Sequence, residues 1–121
     1  DDTTETMQQT MNLAKRLRTE YINVYAAVAF PGSTLWDNMI QGGWQPPKDW
    51  LAWSFHSYEH EPLGNDNLTP KEVLGFRDAA FLDYFADPGY QEFIKIKFGQ
   101  CAVDEVQNML GHTLKRKLLE S

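Results

Sequence analysis

Cysteine is nearly absent from this chain of 121 residues, in which Cys101 is the only one. A single thiol cannot form a disulfide within the chain, and it cannot supply the several thiolates of a metal or cluster site. The sequence therefore predicts that the chain holds no metal and no cofactor by itself. Cys101 is predicted to be a small packing residue.

Basic residues are few, since 11 Lys and Arg stand against 17 Asp and Glu and give a formal net charge of -6. Nucleic acid is not an expected partner, because phosphate binding depends on clustered cations. The one basic run, residues 115 to 117, is predicted to be a cationic last turn of a helix. Apolar runs are too short for a membrane span, and the N-terminus is unlike a signal peptide, so we expect a cytoplasmic protein without membrane contact.

Start and stop signals predict several helices. The clearest start is Leu68 and Thr69 followed by Pro70, Glu72 and Val73, which form a hydrophobic staple and a capping box. Asp2 with Glu5 is a second predicted capping pair. The predicted helices cover residues 4–19, 33–40, 70–85, 87–99 and 103–114, the last with a possible new cap at Thr113.

The run YINVYAAVAF, residues 21–30, is almost continuously apolar and rich in β-branched and aromatic residues. This composition predicts a β-strand buried on both faces, as in parallel sheets between helices. No partner strand is evident in the chain, and a buried strand cannot leave both edges unpaired. We therefore expect either that the missing sheet lies before Asp1 in a larger protein or that the isolated chain self-associates through residues 21–30.

Residues 44–68 form an irregular, aromatic-rich connector, predicted to have one helical turn after Asp49. Its aromatic side chains either line a ligand pocket or pack over helix ends. Within it, His56, Glu59 and His60 match H-x-x-E-H, the inverted zincin pattern of zinc peptidases. That pattern needs a long helix, and Pro62 follows too closely for one.

The ordered motifs resemble those of radical S-adenosylmethionine (SAM) proteins with a cobalamin-binding domain. Residues 1–39 resemble the stretch that follows the fifth barrel strand, with Phe-Pro-Gly-Ser at residues 30–33 in place of the family's Tyr-Pro-Gly-Thr. Residues 1–3 stand where that family has Gly-Glu-Thr. The run LTPKEVLGFRDAAFLDYFADPGY, residues 68–90, is similar to the C-terminal extension of the same proteins.

The resemblance implies that this is the C-terminal segment of a radical SAM enzyme. The implied fold is mainly α with one buried β-strand: the last αβα step of a partial TIM barrel at 1–43, the connector at 44–68 and a helical extension at 69–121. The implied parent binds a [4Fe-4S] cluster and SAM, and the family also includes enzymes that use cobalamin. The isolated chain is implied to be inactive and to have no catalytic residue. The residues implied to lie on the adenine side of SAM are Ala27, Val28, Ala29 and Phe30, and the implied partner is the rest of the barrel.

Two other readings of the residues stay open. One is a helical protein-interaction module that is complete as it stands. The other is a zinc peptidase that uses His56, Glu59 and His60. Iron bound by the complete protein, exposed apolar surface on residues 21–30, and zinc content would separate the three.

Overall fold

A computed structural model describes all 121 residues and contains helices but no β-strand. The α-helices are α1 Thr4–Leu17, α2 Thr34–Gln41, α3 Pro70–Ala86, α4 Pro88–Phe98, α5 Gln100–Leu110 and α6 Lys117–Glu120. A 3-10 helix, Trp50–Trp53, is the turn that the sequence predicted after Asp49. None of the helices combines the length and the apolar composition needed to cross a membrane.

The predicted buried β-strand at residues 21–30, and with it the partial TIM barrel, is wrong. These residues form no strand, and the chain has no sheet. From Tyr21 to Val28 exposed side chains alternate with half-buried or buried ones, which is the pattern of an extended chain that covers one face. The prediction that both faces of this run are buried is also wrong, because Tyr21, Tyr25 and Phe30 are about half exposed.

Along this extended segment, individual hydrogen-bond donors from distant residues bind backbone carbonyls that a neighbouring strand would bind in a sheet. Arg77 Nε donates to the Val24 carbonyl at 2.7 Å, and the Leu63 amide donates to the Ala27 carbonyl at 2.8 Å. Individual backbone acceptors of the extended segment, such as those of Val24 and Ala27, therefore have hydrogen-bond partners without a neighbouring strand.

Most predicted helix starts are confirmed, because each is set by a local cap. Ser33 Oγ accepts the Trp36 amide at the start of α2, and Asp87 accepts the Tyr90 amide at the start of α4. The predicted Asp2 and Glu5 pair is wrong by one residue, since Thr3 and Thr6 form the capping box of α1. Thr113 caps no helix, and Arg116 occupies the N-cap position of α6.

The α3 cap provides a test of this local account. Glu72 Oε2 accepts from both the amide and the hydroxyl of Thr69 at 2.8 Å, and the Glu72 amide donates back to Thr69 Oγ1. We expect Thr69→Ala to lower the free energy of unfolding by about 1 kcal/mol. Thr113→Ala, the matched control without a cap, is expected to change it by less than about 0.5 kcal/mol. Equal urea midpoints for the two variants would contradict the assignment of the cap.

The same cap depends on pH. Hydrogen bonds from the Thr69 amide and hydroxyl lower the pKa of Glu72 below its usual value. Because the folded pKa is the lower one, the stabilisation is present above the unfolded pKa and is lost as the pH falls through the folded pKa. Glu72→Gln should therefore reduce the acid dependence of stability in urea titrations, and an unchanged pH profile would contradict this.

The chain divides into two compact units, described separately below. Unit 1 comprises Asp1–Val24 and Phe76–Thr113, and unit 2 comprises Tyr25–Gly75 and Leu114–Ser121. These boundaries differ from the sequence-based division at residues 43 and 68. One falls within the extended segment and another within α3.

Unit 1 has an aromatic core built from α1 and from the part of α3 that follows Gly75, with α4 and α5. Phe85 is fully buried, and its ring centroid lies 4.9–5.3 Å from those of Tyr21, Phe81, Tyr84 and Tyr90. The hydroxyl of Tyr84 donates to the Thr19 carbonyl at 2.7 Å, and that of Tyr90 to the Glu20 carbonyl at 2.6 Å. Burial raises the pKa of Tyr90 to about 12, so its donor hydrogen is retained at neutral pH.

Two predictions about single side chains are corrected. Cys101 is exposed near the start of α5 and is not a packing residue. Residues 115–117 are not a solvated last turn, since Arg116 is 1% exposed and precedes α6. The Arg116 guanidinium instead donates to carbonyls inside unit 2.

Candidate functional site

The four residues expected at the adenine side of SAM lie together at the start of unit 2, with different exposures. Ala27 and Phe30 are exposed, Val28 is half-buried, and Ala29 is 1% exposed. The side chains of Ala27 and Phe30 are therefore the accessible ones for a ligand. Ala29 acts through its backbone, because its carbonyl accepts the indole Nε1 of Trp53 at 2.9 Å.

Three aromatic side chains near the start of unit 2 contact one another. We call Tyr25, Phe30 and Phe55 the aromatic patch. The Phe55 ring lies 4.6 Å from that of Tyr25, in a tilted arrangement, and 6.3 Å from that of Phe30, edge to face. Such contacts stabilise offset and T-shaped pairs by about 0.5–1.5 kcal/mol each. Tyr25 and Phe30 are each about half exposed, so the patch presents aromatic surface to solvent.

A buried arginine holds the turn that follows Phe55. Arg116 Nη1 donates to the carbonyls of Phe55 and Ser57, each at 2.9 Å. The Tyr58 carbonyl also accepts the amide of Lys117 at 2.9 Å. Because buried charge is costly unless it is hydrogen-bonded, these bonds indicate a turn with a well-defined conformation. This role of Arg116 was not predicted, because its acceptors are 59 and 61 residues away in the sequence.

The H-x-x-E-H residues do not form the arrangement that an inverted zincin needs. Residues 54–60 are turns and bends with no helix, so helical spacing does not place the histidines on one face. His56 is exposed, whereas His60 is 2% exposed and its Nδ1 lies 3.0 Å from the Ala52 carbonyl. No group of three or more His, Cys, Asp or Glu residues is arranged to hold a metal ion.

The surface next to this turn contains one tyrosine with a shifted pKa. The hydroxyl of Tyr58 donates to Glu120 Oε2 at 3.0 Å, and this bond raises the pKa of Tyr58 above its usual value. Tyr58 is therefore a hydrogen-bond donor in unit 2.

Two grooves open on unit 2. One, of about 370 Å³, is bordered by Lys48, Asp49, Glu59 and Lys117 among others. The other, of about 290 Å³, is lined mainly by tryptophan, proline and aliphatic side chains from α2 and the connector. Of the connector's aromatic residues, Trp44 lines this groove, and the rings of Trp50 and Trp53 pack on each other at 5.3 Å.

No family model matches the chain, and no similar curated protein or solved structure was found. The functional reading thus depends on the motifs in the sequence and on the geometry of unit 2.

The donor set distinguishes between the cofactors that the resemblance implies. A [4Fe-4S] cluster does not fit this chain, because the exposed Cys101 is its only thiol. The exposed side chains expected on the adenine side of SAM, those of Ala27 and Phe30, are apolar and offer no metal ligand. The sequence did not predict that Trp53 binds the Ala29 carbonyl or that Arg116 binds the Phe55 carbonyl. A tryptophan in an irregular segment needs a partner for its indole N–H, and this was the one available signal.

Proposed function

We propose that this chain is the C-terminal part of a radical SAM enzyme of the cobalamin-binding-domain type. The observation that carries the proposal is the ordered set of motifs at residues 30–33 and 68–90. A Pro-Gly-Ser sequence alone is common. The order of the other motifs is more specific: a capped helix that contains Arg77, then Tyr84 and Phe85, then a helix that starts with Pro-x-Tyr at residues 88–90. Because the chain has no β-strand, we do not propose that it contributes a strand to a barrel.

The residues of these motifs have definite structural roles, which supports reading them as one set. Ser33 and Thr69 cap helices, Arg77 binds the Val24 carbonyl, and Tyr84 and Phe85 form the unit 1 core. Their spacing is therefore tied to a fold of this kind and not to a short functional motif. A chain with the same ordered roles is expected to have the same helical extension.

In the proposed enzyme, Ala27 and Phe30 contact the adenine of SAM, and Val28 and Ala29 fix the backbone on that side. With SAM bound, the exposed Phe30 ring would offer a stacking face for the adenine, and the small Ala27 side chain would leave room for it. Trp53 holds this backbone through the Ala29 carbonyl. Reductive cleavage of SAM, and any use of cobalamin, depends on other parts of the enzyme, so the isolated chain is inactive.

Phe30→Ala tests this assignment in the complete reading frame that contains the chain. Loss of aromatic stacking on a base is worth about 1–3 kcal/mol, so we expect SAM to bind about tenfold more weakly. SAM affinity would be measured by equilibrium dialysis or calorimetry. Phe98→Ala, which removes an exposed ring in unit 1, is the matched control.

The outcomes separate the parts of the proposal. Weaker SAM binding by Phe30→Ala alone supports the site. If the wild-type protein binds no SAM, the enzyme class is wrong. If both variants bind SAM like the wild type, the class stands but the adenine site lies elsewhere. Self-association of the isolated chain through residues 21–30 stays a prediction for sedimentation, now through exposed Tyr25 and Phe30 and not through strand edges.

A further inference from the structure

The second groove of unit 2 shares no lining residue with the proposed adenine site, and the amide of Leu63 in its wall donates to the Ala27 carbonyl. Its volume is about 290 Å³, close to the lower end of pockets that hold small molecules. Its apolar lining is Met39, Trp44, Pro47, Pro62, Leu63 and Pro70. A groove of this size accommodates the head group of a small ligand and not a folded domain.

The walls of the groove are held by backbone hydrogen bonds and close packing. The Trp44 amide donates to the Met39 carbonyl at 2.9 Å, and the Trp44 ring packs edge to face on Trp36 at 5.7 Å. On the opposite wall, Gly64 approaches the Leu68 carbonyl so closely that a Cβ there would lie 2.5 Å from its oxygen. Three of the lining residues are prolines. A preformed wall of this kind reduces the entropy lost when a ligand binds.

The groove contains one ionised side chain, that of Glu61. The Glu61 amide is fixed to the Ala52 carbonyl at 3.0 Å, and its carboxylate belongs to none of the chain's ion pairs. Lys48 and Lys117 line the neighbouring groove, which Glu61 also borders, but neither pairs with it. Glu61 is exposed, lines both grooves and forms no ion pair with a cation of the protein.

We propose that this groove binds a small organic cation, with its alkylammonium head between Trp44 and Glu61. An indole face attracts a cation through its quadrupole, and a carboxylate adds direct attraction. A neutral apolar ligand would desolvate Glu61 without replacing the lost hydration, and an anion would be repelled. The lining thus selects positive charge on an apolar body. This inference does not depend on the proposed enzyme class.

Choline and its neutral isostere 3,3-dimethyl-1-butanol test the charge requirement on the chain itself. Titrations followed by ¹H–¹⁵N NMR would monitor the Trp44 indole and the Leu63 amide. We expect saturable shifts with choline and binding of the neutral isostere that is about tenfold weaker. Equal affinities for the two probes, or no saturable shift with choline, would overturn the proposal.

Two variants locate the site. Glu61→Gln is expected to weaken choline binding about fivefold or more, whereas Glu59→Gln, on the neighbouring groove only, should leave it unchanged. Trp44→Leu removes the indole face, with Trp50→Leu as its exposed control. Because Glu61→Gln changes no packing, it keeps the test valid even if Trp44→Leu unfolds unit 2. Equal weakening by Glu59→Gln would place the cation in the other groove and refute the proposal.

Discussion

Phe85→Ala is expected to destabilise unit 1 by about 3–5 kcal/mol, the range found when a buried phenylalanine is truncated. Phe85 is fully buried and its ring contacts four other aromatic rings in unit 1. Truncation removes these contacts and leaves a cavity that the neighbouring rings fill only in part. Since whole domains are stable by only about 5–15 kcal/mol, this change removes a large share.

The measurement uses the uneven distribution of tryptophan. All four tryptophans lie in unit 2, whereas most of the helical residues lie in unit 1. In urea titrations, Phe85→Ala should lower the midpoint seen by far-UV circular dichroism. Phe98 is 56% exposed, so Phe98→Ala should lower the free energy of unfolding by less than about 1 kcal/mol. A loss below 1 kcal/mol for Phe85→Ala would mean that its ring is not at the centre of the core.

Arg116→Met is expected to destabilise unit 2 by about 2–4 kcal/mol. The substitution keeps an unbranched apolar stem but removes the guanidinium that holds the carbonyls of Phe55 and Ser57. Leaving a buried acceptor without a partner costs about 1–3 kcal/mol each. Arg116→Lys keeps the charge without the planar arrangement of donors, so we expect an intermediate loss.

Tryptophan fluorescence reports this second change, because it arises from unit 2 alone. Lys115→Met is the matched control, since Lys115 is the exposed neighbour of Arg116. The control should keep the wild-type urea midpoint. If Arg116→Met also kept it, the two carbonyl bonds would contribute nothing measurable, and the defined turn at residues 55–57 would lose its support.

Helix starts could be predicted from the sequence because their causes lie within three or four residues. Ser33, Thr69 and Asp87 each accept a hydrogen bond from the amide three residues ahead, so both partners are close together in the sequence. The same holds for the 3-10 turn capped by Asp49. Errors of one residue, as at Asp2 and Thr3, arise where two neighbouring residues are both suitable caps.

The extended segment could not be predicted, because its partners are distant side chains. Val24 is bound by Arg77, 53 residues away, and Ala29 by Trp53, 24 residues away. An apolar run with β propensity looks the same whether a sheet or single donors satisfy its backbone. The candidate site likewise has a local part and a distant part. The small residues at 27–29 could be recognised in the sequence. The aromatic patch could not, because it depends on contacts of Phe55 with Tyr25 and Phe30.

The complete reading frame that contains this chain, purified without oxygen, provides the most direct test of the proposed enzyme class. Iron, acid-labile sulfide and cobalt would be measured together with cleavage of SAM under reducing conditions. We predict four irons for each chain and formation of 5′-deoxyadenosine, with cobalt if cobalamin is used. A product that binds no iron after reconstitution and does not cleave SAM would contradict the proposal and favour a helical interaction module.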